Sequence, residues 1–154
     1  MSYVTFYLND PNAPKPYMPA HLGSNCIMTC KGTLLLEKRV DSDTWGLVGG
    51  GCKKWEDPDQ AMQREVLEEL GWRIPRDQFR KMKVYGAPGR IAAFRDGSVW
   101  RMVIVVFHLD IPEERPIRIS SESKEARFFT KDEVRNLEIA VTHTDIVKEC
   151  FLEM

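Results

Sequence analysis

Glu65, Glu68 and Glu69 stand at i, i+3 and i+4 of one acidic stretch. At helical pitch their carboxylates project over one sector and lie close enough to share a cation. Like charges at that spacing repel, so the cluster calls for a neutralising dication. Oxygen-only ligands favour a hard ion such as Mg²⁺ or Mn²⁺, and no histidine or cysteine pair stands nearby to favour zinc. The chemistry open to such a site is attack of water on phosphorus in a P–O–P bridge. Metal ions there acidify the water and offset phosphate charge, so no protein nucleophile is required. The competing reading is a solvated acidic helix face.

The elements around the cluster are legible. Asp57 reads as a helix N-cap, with Pro58 at the first helical position and Gln60 three residues after the cap. Gly71 is placed to end the helix in the left-handed conformation. Just upstream, the glycine-rich turn Gly49-Gly50-Gly51 delivers the chain toward this helix. Elsewhere Tyr3 to Leu8 reads as an edge strand, Asn25–Cys30 and Thr33–Lys38 as a hairpin about Lys31-Gly32 or two nearly continuous strands, and Asp41 to Thr44 as the polar turn before a short strand from Trp45. Ile91–Phe94 and Val99–Leu109 read as an antiparallel pair joined at Asp96-Gly97. Thr130 is placed to cap a short helix, and residues 144–152 to form a final one with Ile146, Val147, Cys150 and Phe151 inward.

Residues 50–72 fit the pattern G-x5-E-x7-R-E-U-x-E-E-x-G-U, where U is a bulky apolar residue. Gly50, Glu56, Arg64, Glu65, Val66, Glu68, Glu69, Gly71 and Trp72 fill the named places. Seven polar or glycine positions and two apolar ones in register over 23 residues make this a specific signal. The pattern is the Nudix box, and the chain resembles a Nudix hydrolase. Three positions depart from the family's habit: Trp72 replaces an aliphatic residue, Val48 stands where proline is frequent, and Lys53 where many members carry glutamate.

The resemblance implies an α+β domain of the Nudix fold, an α/β/α sandwich around a mixed central β-sheet. It makes Glu68 and Glu69 metal ligands, with Glu65 a further ligand or the base that orients the attacking water. A carbonyl of Gly49 or Gly50 completes the site. Glu56 is either an outer ligand or an anchor for the glycine loop. Arg64, one turn before Glu68, is expected to hold a carboxylate in position. In some family members a distant glutamate activates the water; Glu122 and Glu125, before Ala126-Arg127-Phe128-Phe129, resemble that loop, so Glu125 is a second candidate base or ligand.

Substrate is less sharply written. Tyr85-Gly86-Ala87-Pro88-Gly89 resembles a Y-x-x-P-G segment of ADP-ribose and nucleotide-sugar pyrophosphatases, although Pro-Gly also simply makes turns. On that resemblance Pro88 and Arg90 are expected to face substrate, and Trp55, on a loop beside Lys53 and Lys54, to stack on a base. The expectation is Mg²⁺-dependent cleavage of a nucleoside diphosphate linked to another group, with Mn²⁺ able to substitute. The alternatives are a nucleoside triphosphate pyrophosphohydrolase and a nucleotide-sensing domain without turnover.

Composition bounds the rest. A chain of 154 residues, 43% hydrophobic and 29% charged, is expected to form one domain, residues 1–154, with a single ordinary core. Its net charge of −1 offers no general attraction to nucleic-acid polymers or anionic membranes, which leaves a small nucleotide as the expected partner. Charge is nevertheless segregated. Six acids and one base lie between Glu56 and Glu69, against seven bases and one acid between Arg73 and Arg95, an arrangement suited to a polyphosphate. Cys26, Cys30, Cys52 and Cys150 show no paired spacing and read as reduced thiols. No leader-like or membrane-length apolar segment is visible, so a cytoplasmic location is expected. Dimers are common among Nudix relatives, which makes a homodimer the default.

Overall fold

A computed structural model describes residues 4–40 and 42–154. Strands form where bulky and β-branched residues cluster between turn residues. They are β1 (Val4–Leu8), β2 (His21–Cys30), β3 (Thr33–Arg39), β4 (Trp45–Gly46) and β5 (Val48–Gly51), then β6 (Arg80–Tyr85), β7 (Arg90–Phe94), β8 (Val99–Asp110) and β9 (Ser123–Phe129). Tyr3, expected to open the first strand, and Asp41, expected to open the turn before Trp45, lie outside the described residues.

The sheet runs β1-β7-β8-β2-β3-β4, with β5 also pairing β2, β6 pairing β8 and β9 pairing β3. It is mixed: β2 and β8 are parallel over His21–Thr29 and Met102–Asp110, while the other named pairs are antiparallel. The hairpin expected at Lys31-Gly32 forms, but β2 and β3 pair only at Thr29–Cys30 and Thr33–Leu34. Beyond that point they diverge. The first half of β2 turns to β5 (Gly23–Cys26 with Val48–Gly51), whereas β3 turns to β4 and β9. The sheet therefore opens where the glycine turn arrives.

Helices cover both faces. On one, α1 (Pro58–Leu70) buries Met62, Val66 and Leu70 against Cys26, Met28, Leu35, Val48, Val105 and Phe107. On the other, α2 (Lys131–Arg135) and α3 (Thr144–Val147) bring Val134, Ile146 and Val147 against Ile27, Leu34, Leu36, Val106 and Phe129. Alternation along the strands splits these two sets, which is why neighbours such as Cys26 and Ile27 serve opposite layers. The expected final helix over 144–152 is not a uniform α-helix: α3 passes into a π-helical turn at Lys148–Leu152. Ile146, Val147, Cys150 and Phe151 still all point inward.

The ends of α1 follow its sequence. Gln60 Oε1 accepts the Asp57 N–H at 2.8 Å, one leg of a capping box, and Gly71 sits at φ 78° with its N–H donating to the Leu67 carbonyl at 2.9 Å. A Cβ on Gly71 would stand 3.3 Å from the Arg118 Cβ. Gly71→Ala is therefore expected to cost about 1–2 kcal/mol, the left-handed penalty of a non-glycine residue. The check is urea unfolding: the midpoint should fall at constant m-value, and an unmoved midpoint contradicts this helix end.

Candidate active site

The glycine turn is held shut against β2 by contacts that leave no room for side chains. Gly49 has φ 143°, and a Cβ there would fall 2.1 Å from the Ser24 carbonyl oxygen. Buried Asn25 grips the approach, its amide donating to the Leu47 and Val48 carbonyls at 3.3 and 3.4 Å. At Gly50 the neighbour is the acidic helix itself: a Cβ would stand 2.7 Å from Glu65 Oε1. Glycine at 50 is thus what lets the Glu65 carboxylate lie on the loop backbone.

Arg64 ties loop to helix. Its Nε and Nη2 donate to the two Glu56 carboxylate oxygens at 2.7 and 3.0 Å, Nη2 donates to the Gly51 carbonyl at 3.1 Å, and Nη1 reaches Glu65 and Glu68 at 2.9 and 3.3 Å. Its main partner is therefore Glu56, not Glu68. Glu56 also accepts the Lys53 N–H at 2.9 Å, and the Arg64 guanidinium holds its carboxyl below the usual range. With both oxygens engaged this way, Glu56 has the geometry of the loop anchor.

The three helix acids part company. Glu68 extends toward solvent, Glu65 is mostly buried, and Glu69 is only 5% exposed. Glu69 Oε2 accepts the Gly49 N–H at 3.0 Å. Beside it lies a residue that the sequence pattern did not single out. Glu37 of β3, 2% exposed, lies near enough to Glu69 for each carboxyl to act on the other, and its Oε1 has no hydrogen-bond partner among the described residues. Burial, with the neighbouring Glu37 charge, pushes the Glu69 carboxyl well above the usual carboxylate range. Burial also raises Glu37 and raises Glu65, the latter against the opposing pull of Arg64.

This corner fits a hard dication by its chemistry. Its donors are all oxygens, Glu37, Glu65 and Glu69 are drawn together away from solvent with Arg64 and the Gly49 N–H beside them, and one buried carboxylate oxygen lacks a partner among the described residues. Among the described residues no three histidine, cysteine or acidic side chains already converge in ligand geometry.

Against Glu37 and the glycine turn opens a cavity of about 330 Å³, whose lining does not include Glu65, Glu68 or Glu69. Phe6, Ala92, Phe94, Met102 and Ile104 give it an apolar wall from β1, β7 and β8, while Glu37, Gly49, Gly50, Thr142 and His143 give it a polar one. His143 is fixed by the Leu47 N–H, which donates to its Nδ1 at 3.1 Å and so leaves the ring proton of a neutral imidazole on Nε2. Burial, assisted by the Arg90 charge, lowers its pKa to about 4.

Other expected site residues lie elsewhere. Arg90, expected to face substrate, is 2% exposed: it donates to the Thr142 carbonyl and Asp145 and stacks on Tyr85, holding the 141–145 segment that carries His143. Pro88 is exposed and outside the cavity lining. Trp55 is also outside it, 77% exposed with Lys53 over its ring. Glu125 is exposed, pairs Lys38 across β3 and contacts Arg127 at 3.5 Å. Because Glu37 pairs Ala126, alternation sends Glu125 to the opposite face. His108 is a satisfied strand-end residue, bonded to Thr29 and Arg80.

A family model described as the NUDIX domain matches residues 20–150. The chain belongs to the Nudix family. Among curated proteins this Nudix chain is 30% identical over 132 residues to a MutT-like protein of Streptomyces ambofaciens, covering 85% of this chain and 77% of that one. It is 22% identical over 124 residues to the nucleoside triphosphatase NudI of Enterobacter sp. (strain 638), covering 79% and 84%. Among solved structures it resembles a bifunctional NMN adenylyltransferase/ADP ribose pyrophosphatase of Francisella tularensis, complexed with AMP and a Mn ion. There the TM-score is 0.68 and the identity 20%, over 90% of this chain but only 43% of that chain. The Nudix fold expected from residues 50–72 is the fold found, and the chain is a Nudix hydrolase.

His143 yields a test of the site's electrostatics. The folded Nudix domain binds this proton less readily than the unfolded chain, so between about 6.5 and about 4 the unfolded state takes up more protons. Stability from this group is present above about 6.5 and lost as pH falls toward about 4. Denaturant titrations across that window should show stability falling as pH falls, a slope that His143→Gln flattens; an unchanged slope contradicts the half-buried neutral imidazole.

Proposed function

We propose that this Nudix hydrolase cleaves a phosphoanhydride bond of a small nucleotide at a dication held by Glu65, Glu68 and Glu69, with a Gly49 or Gly50 carbonyl alongside. The observation that carries the reading is one cavity that runs from an apolar, aromatic wall to Glu37 and the glycine turn, on whose other side Glu65 and Glu69 are packed. The first suits a base, the second a pyrophosphate. Mg²⁺ or Mn²⁺ bound there offsets phosphate charge and acidifies the attacking water.

The chain's own groups do the rest. Glu65, packed on the Gly50 backbone, orients the water and takes its proton. Glu69 is fixed by the Gly49 N–H, and Arg64 acts as a positioning residue by fastening Glu56 and the Gly51 carbonyl. Water adds across the bridge, its OH to one phosphorus and its proton to the departing phosphate oxygen.

Two substrate classes remain, and we place nucleoside triphosphates ahead of nucleotide sugars. The segment that favoured nucleotide sugars gives no contact with the cavity: Tyr85 is turned into the core against Glu149 and Cys150, and Pro88 lies outside the lining. A cavity of about 330 Å³ is at the small end for ligand pockets. The relatives named nucleoside triphosphatases point the same way. A nucleoside diphosphate linked to another group is the second reading, kept on the sequence resemblance of Tyr85-Gly86-Ala87-Pro88-Gly89 alone.

Purified protein with Mg²⁺ or Mn²⁺ and a panel of both classes separates them. Nucleoside monophosphate with inorganic pyrophosphate is the expected outcome; monophosphate with a sugar phosphate reverses the order, and tight binding without turnover supports a sensor. Glu65→Gln should lower kcat by about 10²–10⁴-fold while the melting curve stays cooperative. Unchanged kcat removes Glu65 from the water-activating role.

A further inference from the structure

We infer that Glu37 of β3 is an additional carboxylate ligand of the dication site, supplied from the sheet and not from α1. The inference rests on the site proposed above and adds a residue to it. Glu37 stands where β3 has left β2 and pairs instead with β4, directly across from Gly46. Its neighbours in sequence, Leu34, Leu35 and Leu36, are wholly buried, and at 2% exposure it is buried with them.

A side chain in that position has an easy apolar substitute, since leucine would extend the buried run. Instead the chain places an acid there, its Oε1 without a hydrogen-bond partner among the described residues. Glu37 also lines the cavity alongside Gly49 and Gly50. A purely structural acid would be expected to find donors for both oxygens. An oxygen left bare beside Glu69 and the glycine backbone that Glu69 holds is suited to a cation shared among them.

Glu37→Gln preserves shape and removes the charge. Mn²⁺ binding to the full chain, followed by the electron paramagnetic resonance signal of free Mn²⁺ without nucleotide, should weaken by about tenfold or more. With chelator, the metal-free Glu37→Gln protein should melt at or above the wild-type temperature, because one of the crowded acids has gone. Glu37→Asp keeps the charge one methylene further back and should bind Mn²⁺ between the two, whereas Glu113→Gln, a surface acid paired with Lys31, should leave binding unchanged. A folded Glu37→Gln or Glu37→Asp protein with wild-type Mn²⁺ affinity overturns the assignment. Wild-type protein that takes up no Mn²⁺ overturns the cation site itself, and Glu37's role with it.

Discussion

Moving an ionised carboxylate out of water carries an effective penalty of several kcal/mol, and mutual repulsion adds to it when several are moved together. This chain gathers Glu37, Glu65 and Glu69 at one buried corner and gives them Arg64 and the Gly49 N–H as partners. Arg64 is itself shared with Glu56 and the Gly51 carbonyl. Such a corner is tolerable in two states: with protons held on the carboxyls, or with a cation among them. The local architecture makes the second state useful, because the same corner opens on a cavity with an apolar wall.

The surrounding fold is arranged to keep that corner rigid. β2 and β3 part after two residue pairs, and β5 enters beside β2 with glycines at 49 and 50, where any Cβ would strike the Ser24 carbonyl or the Glu65 carboxylate. On the other side, α1 is capped at both ends and packed through Met62, Val66 and Leu70, so Glu65 and Glu69 are carried on a well-anchored element. Arg64 completes the frame by a forked pair with Glu56 that lysine could not reproduce. Opposite, buried Arg90 fixes the Thr142 and Asp145 backbone region and so sets His143 at the cavity wall.

What the sequence conveyed depended on the range of the interaction. Local rules gave α1 and its caps, the β7–β8 hairpin at Asp96-Gly97, the Thr130 cap of α2 and the inward face of the last segment. The fixed spacing over residues 50–72 gave the family. The parallel β2–β8 pairing was not legible, since it joins strands some eighty residues apart. For the same reason Glu37 went unseen: its importance comes from Glu69 on another element, and in the sequence it shows only as a single acid ending an apolar run. Glu125 misled in the opposite way, because its motif is local but strand alternation turns it to the other face. Arg90 was expected to face substrate, and only Asp145 and Tyr85, brought from elsewhere, reveal it as a core residue.

The most direct measurement is thermal unfolding of the unaltered protein in chelator and in saturating Mg²⁺ or Mn²⁺, with no nucleotide present. A cation that binds only the folded corner must raise the midpoint, and the rise must grow with the logarithm of cation concentration above its Kd. The account predicts that rise for Mg²⁺ and Mn²⁺. Superimposable curves with and without the cation would contradict it, and would leave the carboxylates as a proton-sharing structural cluster.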